Sequence, residues 1–544
     1  MFLNNSRKYK NIIWCIFLCL FSGILSIFLG QDVSFDLRNY HLYQPYALLN
    51  ARFGLDIIPA GIHTFFNPLL DVPYYLSFVC FQDFPRIHAF LQGLWYGGVL
   101  CLAWKLANLF FPGKSAEEKF LRWLSFLMGV SGVALISQIG RGHNEVPLAF
   151  LNLCAAYLLL KKAPADSAAP KYWAGAAFLT GLCAGLKYTS APVAVGAGIA
   201  GLYLWKKGQA SWKSFFGCTL AGFGGFALSN GYFMWRLFHY FNNPFFPFFN
   251  GIFKSPFFLQ ENLPNGFAAP GSVKDWFILP FQRIYTLNPE VFLDLRIVTG
   301  VCALIILTIW GLYNKKKSGL NVQKNSYRWY VVSFLFIGAG ISWWTAFGVM
   351  RYSAIVAFWG SILTVGVLLY LLGRTKATIV SLFLFLVMLH YPSQGIILWD
   401  RENTFSDKNL ILSPAPQLQD ASLVVLVGHM SFLIPFLNPT ARYIGGHCLE
   451  VENYPDELKS YIYGINWLQP ADYQHRLWPQ IQTTIEKHQG ELYVLADKTP
   501  LIFHEATLEP YGLYIENPET DCQKFHSNIQ NSYTGYQLCR AKKR

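Results

Sequence analysis

The chain has 544 residues, of which 53% are hydrophobic and 13% are charged, whereas a soluble protein carries charge on about a quarter of its residues. The formal net charge is +13, but the lysines and arginines stand in short clusters between apolar runs. This pattern is typical of the cytoplasmic loops of membrane proteins. We therefore interpret the charge as a topology signal and expect membrane lipid, and no nucleic acid, as a partner.

Apolar runs recur along the first 390 positions, each of about 18–20 residues and long enough to cross a hydrocarbon core of about 30 Å. Backbone amides in lipid must be paired within the protein, and the runs are too long for barrel strands. The sequence therefore predicts an all-α polytopic membrane bundle. The eleven predicted spans lie at about 12–30, 87–111, 122–139, 146–160, 172–187, 190–205, 214–235, 295–313, 329–348, 352–372 and 377–392.

The first predicted span follows a basic cluster, Arg7, Lys8 and Lys10, and no signal-peptide cleavage site follows it. We expect the N-terminus in the cytoplasm and, because the number of spans is odd, the tail outside. The predicted domains are a transmembrane domain, 1–392, and an extracytoplasmic domain, 393–544. The first contains two outer loops, 31–86 and 236–293.

The tail is polar and contains two strand-like runs, LVVLVG (423–428) and ELYVLAD (491–497), which predict a small α/β domain. Outside the cell, Cys522 and Cys539 could form a disulfide, which would leave Cys448 over. No CxxC or His-rich spacing predicts a structural zinc. No glycine-rich phosphate loop or Walker lysine predicts ATP or a dinucleotide.

The stretch from Gln31 to Pro73 concentrates polar side chains just after the first predicted span. Two segments in or near it, FDLRNYHLYQPYALLNARF (35–53) and LLDVPYYLSFVCF (69–81), predict helices that lie in the membrane interface. In a chain so poor in charge, this concentration indicates a functional site. Its acidic and histidine side chains are Asp32, Asp36, Asp56, Asp71, His41 and His63.

Asp36 stands at the start of the first of these helices. An aspartate there can cap free backbone amides, which is a structural role, or act as a general base that takes a proton from a hydroxyl group. Asp32 is the second candidate for the base, and Tyr40, His41 and His63 are expected to contact substrate. Two carboxylates four positions apart are weak evidence for a divalent ion, so a metal is possible but not favoured.

A second polar cluster, GRGHNEVP (140–147), forms the predicted outer turn between the third and fourth spans. Charged groups at membrane depth are expensive and mark either a site or a structural ion pair. We expect Arg141, His143 and Glu145 to contact substrate. The alternative is an ion pair between Glu145 and Arg141, with the carboxylate also stabilised by the helix dipole.

Two more cations, Lys187 and Arg351, lie at the outer ends of predicted spans, against the positive-inside trend. Together with Arg141 they favour an anionic substrate such as a phosphate group. The alternative is that each side chain snorkels to water. A Phe- and Pro-rich segment, HYFNNPFFPFFNGIFKSPFF (239–258), could line a groove for a lipid tail or cover the bundle, and we favour the cover.

In arrangement, the chain resembles the GT-C superfamily of integral-membrane glycosyltransferases. The likeness rests on the outer loop with Asp36, the second loop with Glu145, the pair Arg351 and Tyr352 that opens a late span, and the outer tail. The segments DLRNYHLYQPYALLNARFGLDIIPA and FNPLLDVPYY are similar to bacterial GT-C-like proteins, which implies a bacterial cytoplasmic membrane.

The resemblance implies an inverting transferase that moves a sugar from a polyprenyl-phosphate carrier to a lipid or envelope-glycan acceptor. Asp36 would be the base, Arg351 would contact the phosphate, and Tyr352 would belong to the same site. Members that use diphosphate-linked oligosaccharides carry an Asp-x-Asp motif and a metal. Ser34 and Arg38 flank Asp36 at those spacings, which favours a metal-independent monophosphate donor and no cofactor.

Two other functions remain open. A transporter or flippase for a lipid-linked saccharide would carry ionisable residues near the middle of its spans and commonly an internal repeat. The ionisable residues singled out above lie at the outer ends, and no convincing repeat is visible. A ligase or polymerase of glycan chains would not need proton abstraction by Asp36.

Overall fold

The computed structural model describes residues 2–258, 260–262, 268–284, 292–315, 326–390, 397–445, 477–497, 508–529 and 535–544. Cys448 and the predicted domain boundary near 392 lie outside these ranges. The described helices are α1 (Phe2–Leu29), α2 (Tyr43–Leu49), α3 (Val72–Cys80), α4 (Pro85–Phe110), α5 (Ala116–Val130), α6 (Val133–Ile136), α7 (Glu145–Lys161), α8 (Ala169–Leu186), α9 (Ala191–Lys206), α10 (Trp212–Phe241), α11 (Asn250–Phe253), α12 (Asp275–Ile284), α13 (Leu295–Lys315), α14 (Ser326–Ala346), α15 (Ala354–His390), α16 (Leu477–Lys487) and α17 (Pro518–Asp521).

The described strands are β1 (Gln31–Asp32), β2 (Arg401–Glu402), β3 (Leu412–Ser413), β4 (Leu423–Val427), β5 (Arg442–Gly445), β6 (Leu492–Asp497), β7 (Leu513–Tyr514), β8 (Cys522–Ser527) and β9 (Tyr536–Lys543). The chain forms two compact units. The helical unit comprises Met1–Leu29, Ala89–Gly231 and Pro264–Trp399, and the sheet unit comprises Gly30–His88, Tyr232–Leu263 and Asp400–Arg544. This division groups the first predicted outer loop, and part of the second, with the tail rather than with the spans.

Four of the described helical segments are long and apolar enough to cross a membrane: Tyr9–Leu29, Pro85–Phe110, Tyr327–Ala346 and Met350–His390. The chain is thus a helical protein with membrane-spanning character, but these four are fewer than the eleven predicted spans. Several predicted spans became helices that are too short for this criterion. Helix α7 has 17 residues and α9 has 16, and α5 is a 15-residue helix with two glutamates in its first turn.

Helix α15 has 37 residues, which at a rise of about 1.5 Å per residue is about 55 Å, far more than one hydrocarbon core requires. Gly373 interrupts it with a φ of 71°, a left-handed conformation that glycine adopts without strain. The segment therefore consists of two helices, 354–372 and 374–390. The break falls between the predicted tenth and eleventh spans.

A buried ion pair anchors the start of α13 inside the helical unit. Arg296 and Asp294 are each 1% exposed, and the Arg296 Nη1 atom lies 3.0 Å from Asp294 Oδ1. The same guanidinium donates to the backbone carbonyl of Met128 and to the hydroxyl of Ser131. A buried charge is tolerated only when its hydrogen bonds are satisfied, as they are here.

The sheet unit is built on a mixed sheet with the order β3-β8-β9-β6-β4-β5, and β7 pairs with β9. Strand β4 is parallel to both β5 and β6, whereas β9 is antiparallel to β6 and β8. Both predicted strand runs are strands, β4 and β6, and the α/β character of the tail is confirmed. Two further strands, β1 and β2, form a separate antiparallel pair.

Both faces of the central strand β4 are buried, because successive side chains point to opposite faces of a sheet. Leu423 and Val425 belong to the apolar core that includes α16. Val424 and Leu426 belong to a second core that contains side chains of the first predicted loop, such as Leu37. The loop therefore completes the sheet's second core, which explains why it belongs to the sheet unit.

The two predicted helices of the loop are present in shorter form. A π-helical turn at Leu37–His41 and helix α2 replace the first, and α3 replaces the second. Helix α3 buries Phe78 but leaves Leu76 and Val79 47% and 41% exposed. Exposed apolar side chains of this kind agree with a position in the membrane interface.

A disulfide joins Cys522 on β8 to Cys539 on β9, so the predicted pairing is confirmed. The two cysteines lie directly opposite each other in the antiparallel register, and they are 17 positions apart in sequence. Replacing both with serine should lower the free energy of unfolding of the sheet unit by about 3 kcal/mol, because the bond restricts the unfolded chain. Thermal unfolding of the full chain measures this, and dithiothreitol should lower the melting temperature of the wild type but not of the variant. Alkylation of both thiols without a reductant would contradict the assignment.

Candidate active site

Asp36 immediately precedes the π-helical turn Leu37–His41, and its side chain is 5% exposed. It makes no capping hydrogen bond to the turn. Its Oδ2 atom instead accepts a hydrogen bond of 3.1 Å from the hydroxyl of Tyr40. The Asp36 carboxylate therefore does not cap the turn, which was the structural role that the sequence left open. The hydrogen bond from Tyr40 fixes the direction of the carboxylate instead.

Tyr40 also connects Asp36 to His63. The rings of Tyr40 and His63 stack, with their centroids 4.6 Å apart and an angle of 6° between their planes. The Nδ2 atom of Asn39 lies 3.0 Å from His63 Nδ1 and donates to it, so the neutral ring carries its proton on Nε2. Burial lowers the pKa of His63 to about 4; the charge of Asp36 raises this pKa, and His429 and His41 lower it. His63 is thus neutral at physiological pH.

The lowered pKa of His63 makes stability depend on pH. The unfolded chain binds a proton near pH 6.5, whereas the folded chain does so only near pH 4. The free energy of unfolding should therefore fall by about 2 kcal/mol as the pH drops from 6.5 to 4.5, with only a few tenths of a kcal/mol lost above pH 6.5. Thermal unfolding in detergent measures this loss. The variant His63→Gln should show a correspondingly smaller loss over the same range, and an identical pH dependence in both proteins would contradict the assignment.

A histidine–carboxylate pair lies beside this group. His41 Nδ1 donates to Asp71 Oδ1 over 2.6 Å, and the side chains are 1% and 6% exposed. The ring of His41 is also tilted against that of Tyr40, with a centroid distance of 4.1 Å. A carboxylate that holds one ring nitrogen fixes both the tautomer and the orientation of the imidazole. The structure thus joins four of the predicted residues, Asp36, Tyr40, His41 and His63, into one group, which we call the Asp36 cluster.

Asp32, the second candidate for the base, has a local role. Its Oδ1 atom accepts a hydrogen bond of 3.0 Å from the backbone N–H of Ser34, which stabilises the turn that leads into Asp36. The carboxylate is 7% exposed. Aspartate commonly bonds to the backbone two residues ahead in such turns.

Sequence reasoning missed His429 and gave Asp71 no role. The ring of His429 lies edge-on to Phe35, with a centroid distance of 4.7 Å, and its charge acts on His63. His429 follows Gly428 at the carboxyl end of β4. Functional groups commonly lie beyond the carboxyl ends of parallel strands, so the position after the predicted strand LVVLVG was a usable signal. The tail thus contributes to the Asp36 cluster.

In the helical unit, Glu145 begins helix α7 and pairs with Lys187. The Lys187 Nζ atom lies 2.6 Å from Glu145 Oε1 and donates to the backbone carbonyl of His143 over 2.9 Å. The ion pair seen for Glu145 is thus with Lys187 rather than with Arg141, the alternative partner. Among the residues described, the second carboxylate oxygen of Glu145 has no hydrogen-bond partner although it is buried. Such an oxygen can accept a hydrogen bond from a ligand.

Lys187 and Arg351 converge on the ring of Tyr352. Lys187 Nζ lies 5.6 Å from the ring centroid and the guanidinium carbon of Arg351 lies 5.2 Å from it. Arg351 also donates to the Tyr352 hydroxyl over 3.2 Å. The side chain of Lys187 is 17% exposed and Arg351 is 9% exposed. Neither side chain extends freely into water, which argues against the snorkelling alternative.

Arg141 and His143 contact an aromatic residue that the sequence did not single out, Trp399. The guanidinium carbon of Arg141 lies 5.0 Å from the indole centroid, and the ring of His143 lies 6.2 Å from it. Asn144, with a φ of 68°, turns the chain between these residues and Glu145. Asparagine tolerates this left-handed conformation better than most residues. We call the resulting group, Arg141, His143, Glu145, Lys187, Arg351 and Tyr352 with Trp399, the Lys187 cluster.

Within the described residues, no group of three or more His, Cys, Asp or Glu side chains is arranged to hold a metal ion. A comparison with models of protein families finds none that matches the chain, and a comparison with curated proteins finds no significantly similar sequence. The chemistry of the two clusters therefore carries the functional argument.

Proposed function

We propose that this chain is a membrane-embedded glycosyltransferase of the GT-C type, which moves a sugar from a polyprenyl-phosphate carrier to a hydroxyl group of a lipid or envelope-glycan acceptor. The observation that carries the proposal is the orientation of Asp36. Its buried carboxylate is held by Tyr40 and does not cap a helix. A carboxylate fixed in this way is suited to accept a proton.

In the proposed reaction, Asp36 takes the proton of the acceptor hydroxyl while the acceptor oxygen bonds to C1 of the sugar. The bond between C1 and the phosphate oxygen breaks, and its electron pair leaves with the phosphate. Attack from the opposite side inverts the configuration at C1. Because His63 is neutral, it does not form an ion pair with Asp36 that would lower the basicity of the carboxylate.

The proposal assigns the phosphate to the cations of the Lys187 cluster. Arg351 offers a planar fork of donors and Lys187 a compact charge, and the two types of cation complement each other in binding phosphate. The Lys187 cluster contains three cations, Arg141, Lys187 and Arg351, and one carboxylate, Glu145.

The proposed topology is that of a multi-pass protein of a bacterial cytoplasmic membrane, with the N-terminus in the cytoplasm and the tail outside. The disulfide Cys522–Cys539 supports an outer tail, since such bonds persist in oxidising compartments. The absence of an Asp-x-Asp motif at Asp36 supports a metal-independent reaction with a monophosphate donor.

Mass spectrometry of envelope glycans from a strain that lacks the gene tests the function. The proposal expects glycans that lack a single sugar, restored by the wild-type gene. Loss of whole glycan chains would instead indicate a ligase or a flippase, and unchanged glycans and lipids would contradict the proposal. A matched assay supplies the purified chain in liposomes with a polyprenyl-phosphate sugar and follows release of the polyprenyl phosphate.

A further inference from the structure

The sheet unit contains a cavity of about 410 Å³ that is separate in its lining from the Asp36 cluster. It is bounded by the first predicted loop, by the segment from the end of α10 onward, and by α16. Its lining is rich in aromatic side chains. These include Phe53, Phe65, Phe233, Tyr240, Phe241 and Phe257.

A single arginine, Arg236, lies among the lining residues. Its guanidinium carbon is 4.1 Å from the ring centroid of Phe53 and 5.8 Å from that of Tyr232. In the described part of the chain, no carboxylate forms an ion pair with Arg236. The lining carboxylate, Asp56, is instead bound by Arg52. The cavity therefore combines a largely apolar lining with a cation that has no carboxylate partner among the described residues.

The end of α10 exposes further aromatic side chains near this cavity. Tyr232 is 64% exposed and Trp235 is 60% exposed, and Tyr240 both lines the cavity and is 46% exposed. Tyr and Trp are enriched where a protein meets the membrane–water interface. A ligand that arrives from the lipid surface would thus reach the cavity past these side chains.

We propose that this cavity binds a single-chain acidic amphiphile, with its apolar chain along the aromatic lining and its phosphate or carboxylate head on Arg236. Apolar pockets with a few well-placed polar groups bind small ligands in this way, and a partly desolvated arginine binds either anion strongly. The Phe-rich segment 239–258 then lines a groove as well as covering the protein, contrary to our expectation. The inference does not depend on the proposed glycosyl transfer.

Binding of radiolabelled dodecyl phosphate and radiolabelled dodecanoate to the purified full chain in a nonionic maltoside detergent tests the proposal. We expect saturable binding of at least one of the two probes. Arg236→Gln should weaken it by about tenfold or more, which is typical of losing a hydrogen bond to a charged group, whereas Arg236→Lys should retain most of it. Lys213→Gln removes an exposed cation from the other end of α10 and should have no effect.

A second pair of variants tests the cavity itself. Leu48→Trp fills the cavity from α2 and should abolish saturable binding, whereas Leu49→Trp alters the adjacent exposed position and should preserve it. Binding of dodecyl phosphate alone, of dodecanoate alone, or of both identifies the head group. Equal binding by the wild type and Arg236→Gln, or binding that Leu48→Trp does not reduce, would show partition into the micelle and overturn the proposal.

Discussion

Replacing Asp36 with asparagine should lower the rate of sugar transfer by about 10²–10⁴-fold, the usual contribution of a general base, and leave the melting temperature almost unchanged. Asparagine has nearly the same shape, and its side-chain oxygen can still accept the hydrogen bond from Tyr40. It cannot accept the proton of the acceptor hydroxyl. Release of polyprenyl phosphate by the variant in liposomes, at saturating donor and acceptor, measures the loss.

Asp32→Asn is the matched control, because Asp32 is a buried aspartate four positions away that stabilises a turn. We expect this variant to retain most of the transfer rate. Wild-type transfer by Asp36→Asn would exclude Asp36 as the base. A loss confined to Asp32→Asn would move the role to the second candidate, and a lowered melting temperature in Asp36→Asn would indicate a structural role.

Much of the Asp36 cluster could be predicted because its central members are close in sequence. Asp36 and Tyr40 are four positions apart, so a helical turn brings their side chains together, and the structure has this contact. His63 and Asp71 reach the group only through the fold of the loop. His429 lies almost 400 positions away on the tail, and no local pattern connects it to Asp36.

The cations of the Lys187 cluster could be singled out by their charge, because isolated basic residues at the outer ends of apolar runs are unusual. Their partners could not. Glu145 and Lys187 are 42 positions apart, and the sequence offered the nearer Arg141 as the partner. Which cation pairs with a carboxylate depends on how α7 and α8 pack, and spacing along the chain does not determine that.

The grouping of the first loop with the tail could not be predicted from the sequence for a related reason. The apolar pattern of the segment 35–53 indicated burial, and we assigned that segment to the membrane interface. Some of its apolar side chains, such as Leu37 and Tyr43, are buried in a core shared with the sheet of the tail. A hydrophobic pattern shows that a face leaves water but does not show whether lipid or protein covers it.

The first loop also contains a buried carboxylate, Asp56, whose role is structural. Asp56 accepts two hydrogen bonds from Arg52, of 2.6 and 2.7 Å, and one from the backbone N–H of Tyr443 on β5. Arg52 also donates to the backbone carbonyl of Pro439. Burial alone would lower the pKa of Arg52, but the hydrogen bonds and charge of Asp56 raise it on balance. The pair therefore stays charged and attaches the loop to the edge of the sheet.

Arg52→Met should lower the free energy of unfolding by about 3–5 kcal/mol, because it leaves the Asp56 carboxylate buried without its counter-ion. Thermal unfolding of the full chain in detergent measures the loss. Arg540→Met is the matched control, since Arg540 pairs with Glu491 at 2.7 Å in the same unit but is 48% exposed. An exposed pair contributes about 0–1 kcal/mol, so the two variants should differ clearly. Loss of a partner is costly only where the remaining charge is buried. Equal stability of Arg52→Met and Arg540→Met would therefore show that the Arg52–Asp56 pair does not attach the loop to the sheet.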